Sequence, residues 1–300
     1  MQDNYITNIQ IIKVRHLKSL DIALSQSECK HLILTGKNGS GKTSLLEAMR
    51  ECIANAQHAF ASGFLDDVNT ISTDSSTLKK NGICISFSQK LNCFDNLIFV
   101  YIPARRNKLI VPNAIKTVII EEKSQITTNA NQMFLSYILG LDYQLYGAKS
   151  DNNVKLENNL TKWFDNFTNA LRNIFDCPKL MLKRDTKNLA FIVEMPGREP
   201  FALNEMSDGY AAYFNIIMEL LMRMEDSDAV VDYEKSAIVL IDEIEAHLHV
   251  DMQKRVLPFL TQMFPNVQFI IATHSPFVMT SLENAFVFDL EKRECLEKPS

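Results

Sequence analysis

Residues 36–43, Gly36-Lys37-Asn38-Gly39-Ser40-Gly41-Lys42-Thr43, lie between a dense apolar run and a segment with helical spacing. The stretch fits G-x-x-x-x-G-K-[ST], the pattern of a phosphate-binding loop between a buried strand and a helix. Its glycines let backbone N–H groups close around the phosphates, Lys42 reaches the β and γ oxygens, and the Thr43 hydroxyl can ligate Mg²⁺. The stretch therefore predicts an α/β fold and a nucleotide site. The predicted nucleotide ligands are Gly36, Asn38, Gly39, Ser40, Gly41, Lys42, Thr43 and Ser44.

A second apolar run, 238–241, ends in the acids Asp242 and Glu243. An isolated strand with an acidic, solvated end is commonplace, but beside a phosphate loop this pattern is typical of nucleotide hydrolysis. We expect Asp242 to hold the Mg²⁺ shell together with Thr43, and Glu243 to polarise the attacking water.

A third dense run, 269–272, continues into Thr273-His274-Ser275. Three strand ends would thus deliver Gly36, Asp242 and His274 to one sheet edge, where α/β proteins bind their ligands. We expect His274 to sense the γ-phosphate and to act in catalysis with Lys42 and Glu243.

Residues 206–210, Met206-Ser207-Asp208-Gly209-Tyr210, open a helix with a serine and a glycine. Taken alone, this pattern favours an ordinary helix cap. It is also compatible with a second anion site at a helix N-terminus.

The order of these motifs resembles that of an ABC-type ATPase, and the stretch 242–249, Asp-Glu-Ile-Glu-Ala-His-Leu-His, is similar to the branch containing OLD-family, RecF-like and SMC-like ATPases. Septu-type anti-phage defence ATPases are among the nearer members. The resemblance spans residues 9–290. It implies ATP and Mg²⁺ as ligands, ATP hydrolysis as the activity, and a head with a mixed central sheet, an N-terminal antiparallel β subdomain and a helical insertion.

The resemblance also implies roles for individual residues. Ser207 and Gly209 match the signature loop that contacts the nucleotide of an opposite subunit, and residues 245–249 match the loop after the Walker B strand, at the dimer interface. Met206, Asp208 and Tyr210 depart from the transporter signature, which argues against a transporter. Two places remain open for the glutamine loop, Gln89 and residues 101–106.

Apolar periodicity predicts the elements around these motifs. Strands are favoured at 9–14, 20–24, 31–34, 83–87 and 97–102, and a hairpin at 180–183 and 189–194. Helices are favoured at 43–59, at about 113–176 around a polar break at 149–159, and after Asp208, whereas 66–82 is predicted to be an exposed loop. We therefore expect an N-terminal lobe (1–112), a helical insertion (113–178) and a C-terminal lobe (179–300).

Composition excludes several classes of protein. The 300 residues are 46% hydrophobic and 22% charged, which is typical of a globular chain, and no apolar run is long enough to span a membrane. With no secretory signal at the N-terminus, a cytoplasmic location is expected. The net charge of −5 argues against coating nucleic acid with the whole surface. Six scattered cysteines indicate reduced core residues rather than a zinc site or disulfides.

Three functions fit these patterns. The first is an ATP-driven homodimer or higher oligomer that controls an effector protein, such as a nuclease, in anti-phage defence. The chain itself is expected to cut no nucleic acid, and no nuclease domain is expected after His274. The second is a RecF-like DNA-repair ATPase, whose basic pairs Arg105-Arg106 and Lys183-Arg184 grip DNA. The third, a small-molecule kinase, would not need all these motifs together.

Overall fold

A computed structural model of the chain describes residues 4–62, 76–90, 97–106, 124–127, 133–185, 187–225 and 230–296. The strands are β1 (Ile6–Val14), β2 (Leu17–Ala23), β3 (His31–Thr35), β4 (Thr77–Lys80), β5 (Ile83–Phe87), β6 (Ile98–Ile102), β7 (Met181–Asp185), β8 (Ala190–Glu194), β9 (Phe201–Ala202), β10 (Ala237–Ile241), β11 (Val267–Ala272), β12 (Ala285–Asp289) and β13 (Glu294–Cys295). The helices are α1 (Lys42–Ser62), α2 (Phe134–Ser150), α3 (Val154–Phe175), α4 (Asp208–Met224), α5 (Val250–Met263) and α6 (Pro276–Met279).

The central sheet has the strand order β13-β12-β3-β11-β10-β6. Five neighbouring strands run parallel, and only β13 is antiparallel to its neighbour β12. The predicted mixed sheet of an α/β fold is therefore confirmed. Because the strands are parallel, the carboxyl ends of β3, β11, β10 and β6 lie at one edge of the sheet.

The strands of this sheet are buried on both faces, as continuous apolar runs in parallel sheets usually are. Along β10, the side chains of Ile238 and Leu240 face the cluster formed by α1 and the N-terminal strands. Those of Val239 and Ile241 face the cluster that contains α2 to α5. The sheet is thus the middle of three layers.

A four-stranded antiparallel sheet, in the order β2-β1-β5-β4, forms the predicted N-terminal β subdomain. It is tied to the central sheet by the buried Gln268 of β11. The Gln268 side chain accepts a hydrogen bond from the Ile6 N–H (2.7 Å) and donates to the carbonyl oxygens of Ile6 (2.9 Å) and Lys30 (2.9 Å). A fully hydrogen-bonded amide fixes the position of one sheet on the other.

Helices α2 and α3 form the described part of the predicted helical insertion, while residues 113–123 and 128–132 of that prediction lie outside the described residues. Trp163 and Phe167 of α3 pack against Phe134 of α2, which contacts Phe214 of α4 edge-on. The predicted break at 149–159 was too long. Helix α3 begins at Val154 because the Asn153 side chain caps it, accepting the Leu156 N–H.

One other local prediction needs correction. Of the predicted loop 66–82, residues 66–75 lie outside the described part, but Thr77–Lys80 forms β4 and pairs with β5. Only Leu78 of this strand is buried, so its sequence carries little apolar signal. The predicted hairpin, β7 and β8, is confirmed, and it forms a sheet with β9 that is separate from the central one.

The cysteines divide between core and surface. Cys52 and Cys84 are buried, as predicted for core residues, whereas Cys29 and Cys295 are exposed. Cys93 lies outside the described residues.

None of the helices in the described ranges is long and apolar enough to cross a membrane.

The layered core predicts a strong contrast between two isoleucines. Ile270 of β11 is fully buried, whereas Ile12 of β1 is 50% exposed. We expect Ile270→Ala to lower the free energy of unfolding by about 2–5 kcal/mol, because it removes buried methyl groups and leaves a cavity. Urea denaturation measures this change, and Ile12→Ala is the matched control, expected to shift stability by less than about 1 kcal/mol. Equal losses in the two variants would contradict the layered core.

Candidate functional site

The phosphate loop connects β3 to α1, as predicted. Gly36 and Gly41 have φ angles of +131° and +101°, a region that L side chains rarely adopt. A Cβ on Gly41 would also lie 2.9 Å from Leu17 Cδ1, in the strand that follows the β1–β2 turn. Glycine at this position therefore lets the phosphate loop pack directly on the N-terminal hairpin.

Lys42, the first residue of α1, is 5% exposed and folds back into the loop. Its Nζ donates to the carbonyl oxygens of Gly36 (2.7 Å) and Lys37 (3.2 Å). Burial lowers the pKa of Lys42, and the nearby carboxylates of Glu243 and Asp242 oppose that shift. The buried ammonium group, which donates to carbonyl oxygens here, is positioned to donate to the phosphate oxygens of a bound nucleotide.

Thr43 and Asp242, the two predicted Mg²⁺ ligands, are in contact. The Thr43 hydroxyl donates to Asp242 Oδ1 at 3.2 Å, although the two residues are far apart in sequence. Burial raises the pKa of Asp242, while the hydrogen bond from Thr43 and the charge of Lys42 lower it. A hydroxyl and a carboxylate are the hard oxygen ligands that Mg²⁺ prefers, so this pair fits the predicted ion.

Glu243, the proposed base, adopts a φ angle of +46° directly after β10. The left-handed conformation costs an L residue about 1–2 kcal/mol, so it persists only where neighbouring contacts hold it. The Glu243 carbonyl oxygen accepts hydrogen bonds from the Ala246 N–H (2.9 Å) and from Arg106 Nη2 (3.0 Å). The turn at the end of β10 is therefore held by two hydrogen bonds, one from within the turn and one from Arg106.

A cavity of about 350 Å³ brings most of the predicted residues together. Its lining consists of Arg15, His16, Asn38, Gly39, Gly41, Lys42, Thr43, Ser44, Glu243 and His274. The volume lies within the range of ordinary small-ligand pockets. Glu243 and His274, which follow β10 and β11, thus share one cavity with the phosphate loop and its Lys42.

Arg15 and His16 of the β1–β2 turn were missed in the sequence. Arg15 has a φ angle of +50°, and it pairs with Glu47 of α1 at 3.3 Å. In the sequence they are only a pair of basic residues in a predicted turn, and no local pattern indicates that this turn lies beside the phosphate loop. Their contribution to the cavity follows from the packing of the hairpin on Gly41.

The segment that carries His274 is anchored to the loop after β10 by Glu245. The Glu245 carboxylate accepts hydrogen bonds from the Thr273 hydroxyl (2.7 Å) and from the His274 N–H. Thr273 Oγ1 in turn accepts the Ser275 N–H at 3.0 Å. The backbone of His274 is therefore fixed relative to Glu243, while its exposed imidazole lines the cavity.

The predicted signature residues lie at a different cavity, of about 740 Å³. Ser207 and Gly209 line it together with His247, and none of the three lines the phosphate-loop cavity. A Cβ on Gly209 would lie 2.8 Å from the His247 carbonyl oxygen, so only glycine permits this close approach. Ser207 occupies the N-cap position of α4, but its side chain makes no capping hydrogen bond, which corrects the reading of Ser207 as an ordinary cap.

The two candidates for the glutamine loop occupy different places. Gln89 follows β5 in the N-terminal sheet, where its backbone exchanges hydrogen bonds with Asn4. Residues 101–106 include the end of β6, which pairs with β10, and the Asp242 N–H donates to the Ile102 carbonyl at 2.9 Å. The second candidate is therefore the one beside the acidic strand end.

The basic pairs suggested for DNA binding are largely engaged within the chain. Arg106 donates to the turn after β10, Lys183 pairs with Glu194 at 2.7 Å, and Arg184 pairs with Asp142. Arg105 is exposed. These contacts remove much of the support for a duplex grip by the two pairs.

Comparison with known proteins identifies the family of this chain. The model for "AAA domain, putative AbiEii toxin, Type IV TA system" matches residues 99–280. Septu protein PtuA of Bacillus mycoides (strain KBAB4) is 23% identical over 98% of this chain and 42% of its own length. Retron Ec83 probable ATPase of Escherichia coli is 31% identical over 32% of this chain and 18% of its own length. The chain thus spans less than half of each of these curated relatives.

Among solved structures, the SMC head domain from Thermotoga maritima aligns with 95% of this chain and 94% of its own, at 12% identity and a TM-score of 0.42. The family match confirms the resemblance to ATPases that was inferred from the motifs.

The anchor at Glu245 gives a testable prediction. Thr273 is fully buried, and Thr273→Val keeps its shape while removing the hydroxyl that bonds Glu245 and Ser275. We expect a loss of about 1–3 kcal/mol in unfolding free energy, because buried polar groups lose their partner. Urea denaturation tests this. The control is Thr280→Val, since the exposed Thr280 hydroxyl donates to the Pro276 carbonyl oxygen of its own turn. Equal losses in unfolding free energy would show that the anchor at Glu245 stabilises the fold no more than this surface hydrogen bond does.

Proposed function

This chain belongs to the AAA domain family described as putative AbiEii toxin, Type IV TA system, and we propose that it binds ATP with Mg²⁺ and hydrolyses it to ADP and phosphate. One observation supports this proposal above the others. The hydrogen bond between Thr43 and Asp242 joins the phosphate loop to the acidic strand end, and Glu243 and His274 line the same cavity.

Each residue has a task in the proposed reaction. Lys42 binds the β and γ oxygens, and Thr43 and Asp242 would hold Mg²⁺, which would neutralise charge on the phosphates. Glu243 accepts a proton from the water that attacks the γ-phosphorus, as the bond from that phosphorus to the ADP oxygen breaks. His274 binds the γ-phosphate and orients it towards that water.

The proposed active form is a dimer with nucleotide between two copies. Ser207 and Gly209 line a separate cavity from Lys42 within one chain, which supports a role for them on nucleotide bound by a second copy. The sequence relatives named Septu protein and retron probable ATPase support a role in anti-phage defence. There the ATPase would control an effector protein, for which a nuclease is our first candidate, as in the sequence-based proposal.

Two variants separate binding from turnover. We expect Lys42→Ala to weaken ATP binding by about 100-fold, because it removes the cation that offsets the triphosphate charge. Glu243→Gln should bind ATP like the wild type and lower turnover by roughly 10²- to 10⁴-fold, because the amide accepts no proton. Isothermal titration calorimetry and a phosphate-release assay measure the two effects. Undiminished hydrolysis by Glu243→Gln would exclude Glu243 as the base.

The dimer makes a separate prediction. The Glu243→Gln variant should dimerise when ATP and Mg²⁺ are added, which light scattering detects as a doubled mass. The double variant with Ser207→Arg should stay monomeric while still binding ATP. The matched control is Ser27→Arg, since exposed Ser27 precedes β3, at the sheet edge away from the phosphate loop. A protein that stays monomeric with ATP, or a Ser207→Arg variant that still dimerises, would refute the role of Ser207.

A further inference from the structure

Arg106 spans the turn that follows β10. Its Nη2 donates to the carbonyl oxygen of Glu243 at 3.0 Å, and its Nη1 lies 3.4 Å from the carbonyl oxygen of Ala246. The Ala246 N–H donates to the same Glu243 carbonyl at 2.9 Å. One guanidinium therefore bonds to both the first and the last residue of the turn.

This contact holds the backbone of Glu243 in an unusual conformation. The φ angle of Glu243 is +46°, and such a conformation persists only when its surroundings fix it. The preceding residue is fixed as well, because the Asp242 N–H donates to the Ile102 carbonyl at 2.9 Å. With Asp242 and the Glu243 carbonyl both held, the direction of the Glu243 side chain is set by the backbone.

The chemistry of the site requires an arginine. Burial lowers the pKa of Arg106 to about 10, and the carboxylates of Glu245, Asp242 and Glu243 favour its charged form, so the cation persists at neutral pH. A guanidinium presents several N–H donors in one plane and bonds two carbonyl oxygens at once. The single ammonium group of a lysine is a compact point charge without that fork.

Arg106 also lies outside the lining of the phosphate-loop cavity, although Glu243 is part of it. Arg293 is exposed in the turn between β12 and β13, lines neither of the two cavities described above, and lies three strands away from β10 in the central sheet. An Arg-to-Lys exchange there separates the effect of the Arg106 contact from that of the exchange itself.

We propose that Arg106 is a positioning residue for ATP hydrolysis. It holds the backbone of Glu243 so that the Glu243 carboxylate faces the phosphate-loop cavity. The inference rests on the proposed function, because Arg106 acts through Glu243. Its loss therefore affects the turnover of bound ATP and spares the binding of ATP.

The test compares Arg106→Lys and Arg106→Gln with the control Arg293→Lys. We expect both Arg106 variants to lower kcat by about 10- to 100-fold, since small displacements of a catalytic group cost that much. The Kd for ATP, measured by isothermal titration calorimetry, should stay within about threefold of the wild type. Arg293→Lys should match the wild type in both quantities. Thermal unfolding is recorded for every variant, and rates are compared below the lowest midpoint.

A double variant tests whether Arg106 acts through Glu243. In the Glu243→Gln background, where no base remains to be positioned, Arg106→Lys should change the single-turnover rate by less than about twofold. The inference is overturned if Arg106→Lys keeps the wild-type kcat, if it loses the same factor in both backgrounds, or if Kd rises as much as kcat falls. Absence of ATP turnover by the wild-type chain would refute the proposed function and this inference together. Normal wild-type turnover with fully active Arg106 variants would refute the inference alone.

Discussion

The hydrogen bond from the Thr43 hydroxyl to the Asp242 carboxylate connects two parts of the chain on which the whole site depends. Thr43 lies in the first turn of α1, and Asp242 directly follows β10. The bond forms because β3 and β10 run parallel in one sheet, with β11 between them, so that their carboxyl ends meet at the same edge. Glu243 and His274 line the same cavity as Thr43.

The buried carboxylate of Asp242 at the end of β10 requires compensating cations and donors, because an unpaired buried charge is costly. The cations Lys42 and Arg106 flank the acidic strand end on opposite sides, one in the phosphate loop and one after β6. The Glu245 carboxylate is satisfied by the hydroxyl of Thr273 and the N–H of His274. In the proposed function, Asp242 and Glu243 therefore act on the nucleotide, whereas Glu245 holds the backbone around the site.

Local patterns in the sequence were enough for the motifs, but not for the contacts between them. Spacing that follows the geometry of single elements predicts the glycines and Lys42 of the phosphate loop, and also the strand that ends at Asp242. The hydrogen bond from Arg106 to Glu243 could not be predicted from the sequence, since it depends on the pairing of β6 with β10 and not on any local pattern. The strand at 77–80 was missed for a related reason, as pairing with β5 forms it despite a weak apolar signal.

Contiguous contacts lead from the turn at Glu243 to the helical insertion. The turn continues into His247, whose left-handed backbone, with a φ angle of +67°, brings its carbonyl against Gly209 of α4. Tyr210 then stacks on Phe175, at the end of α3, with the ring centroids 4.2 Å apart. Close-packed interiors transmit displacements because they contain few voids that could absorb them. A rearrangement of the turn after β10 would therefore displace the start of α4 and the end of α3, since the approach of Gly209 to His247 leaves no room even for a methyl group.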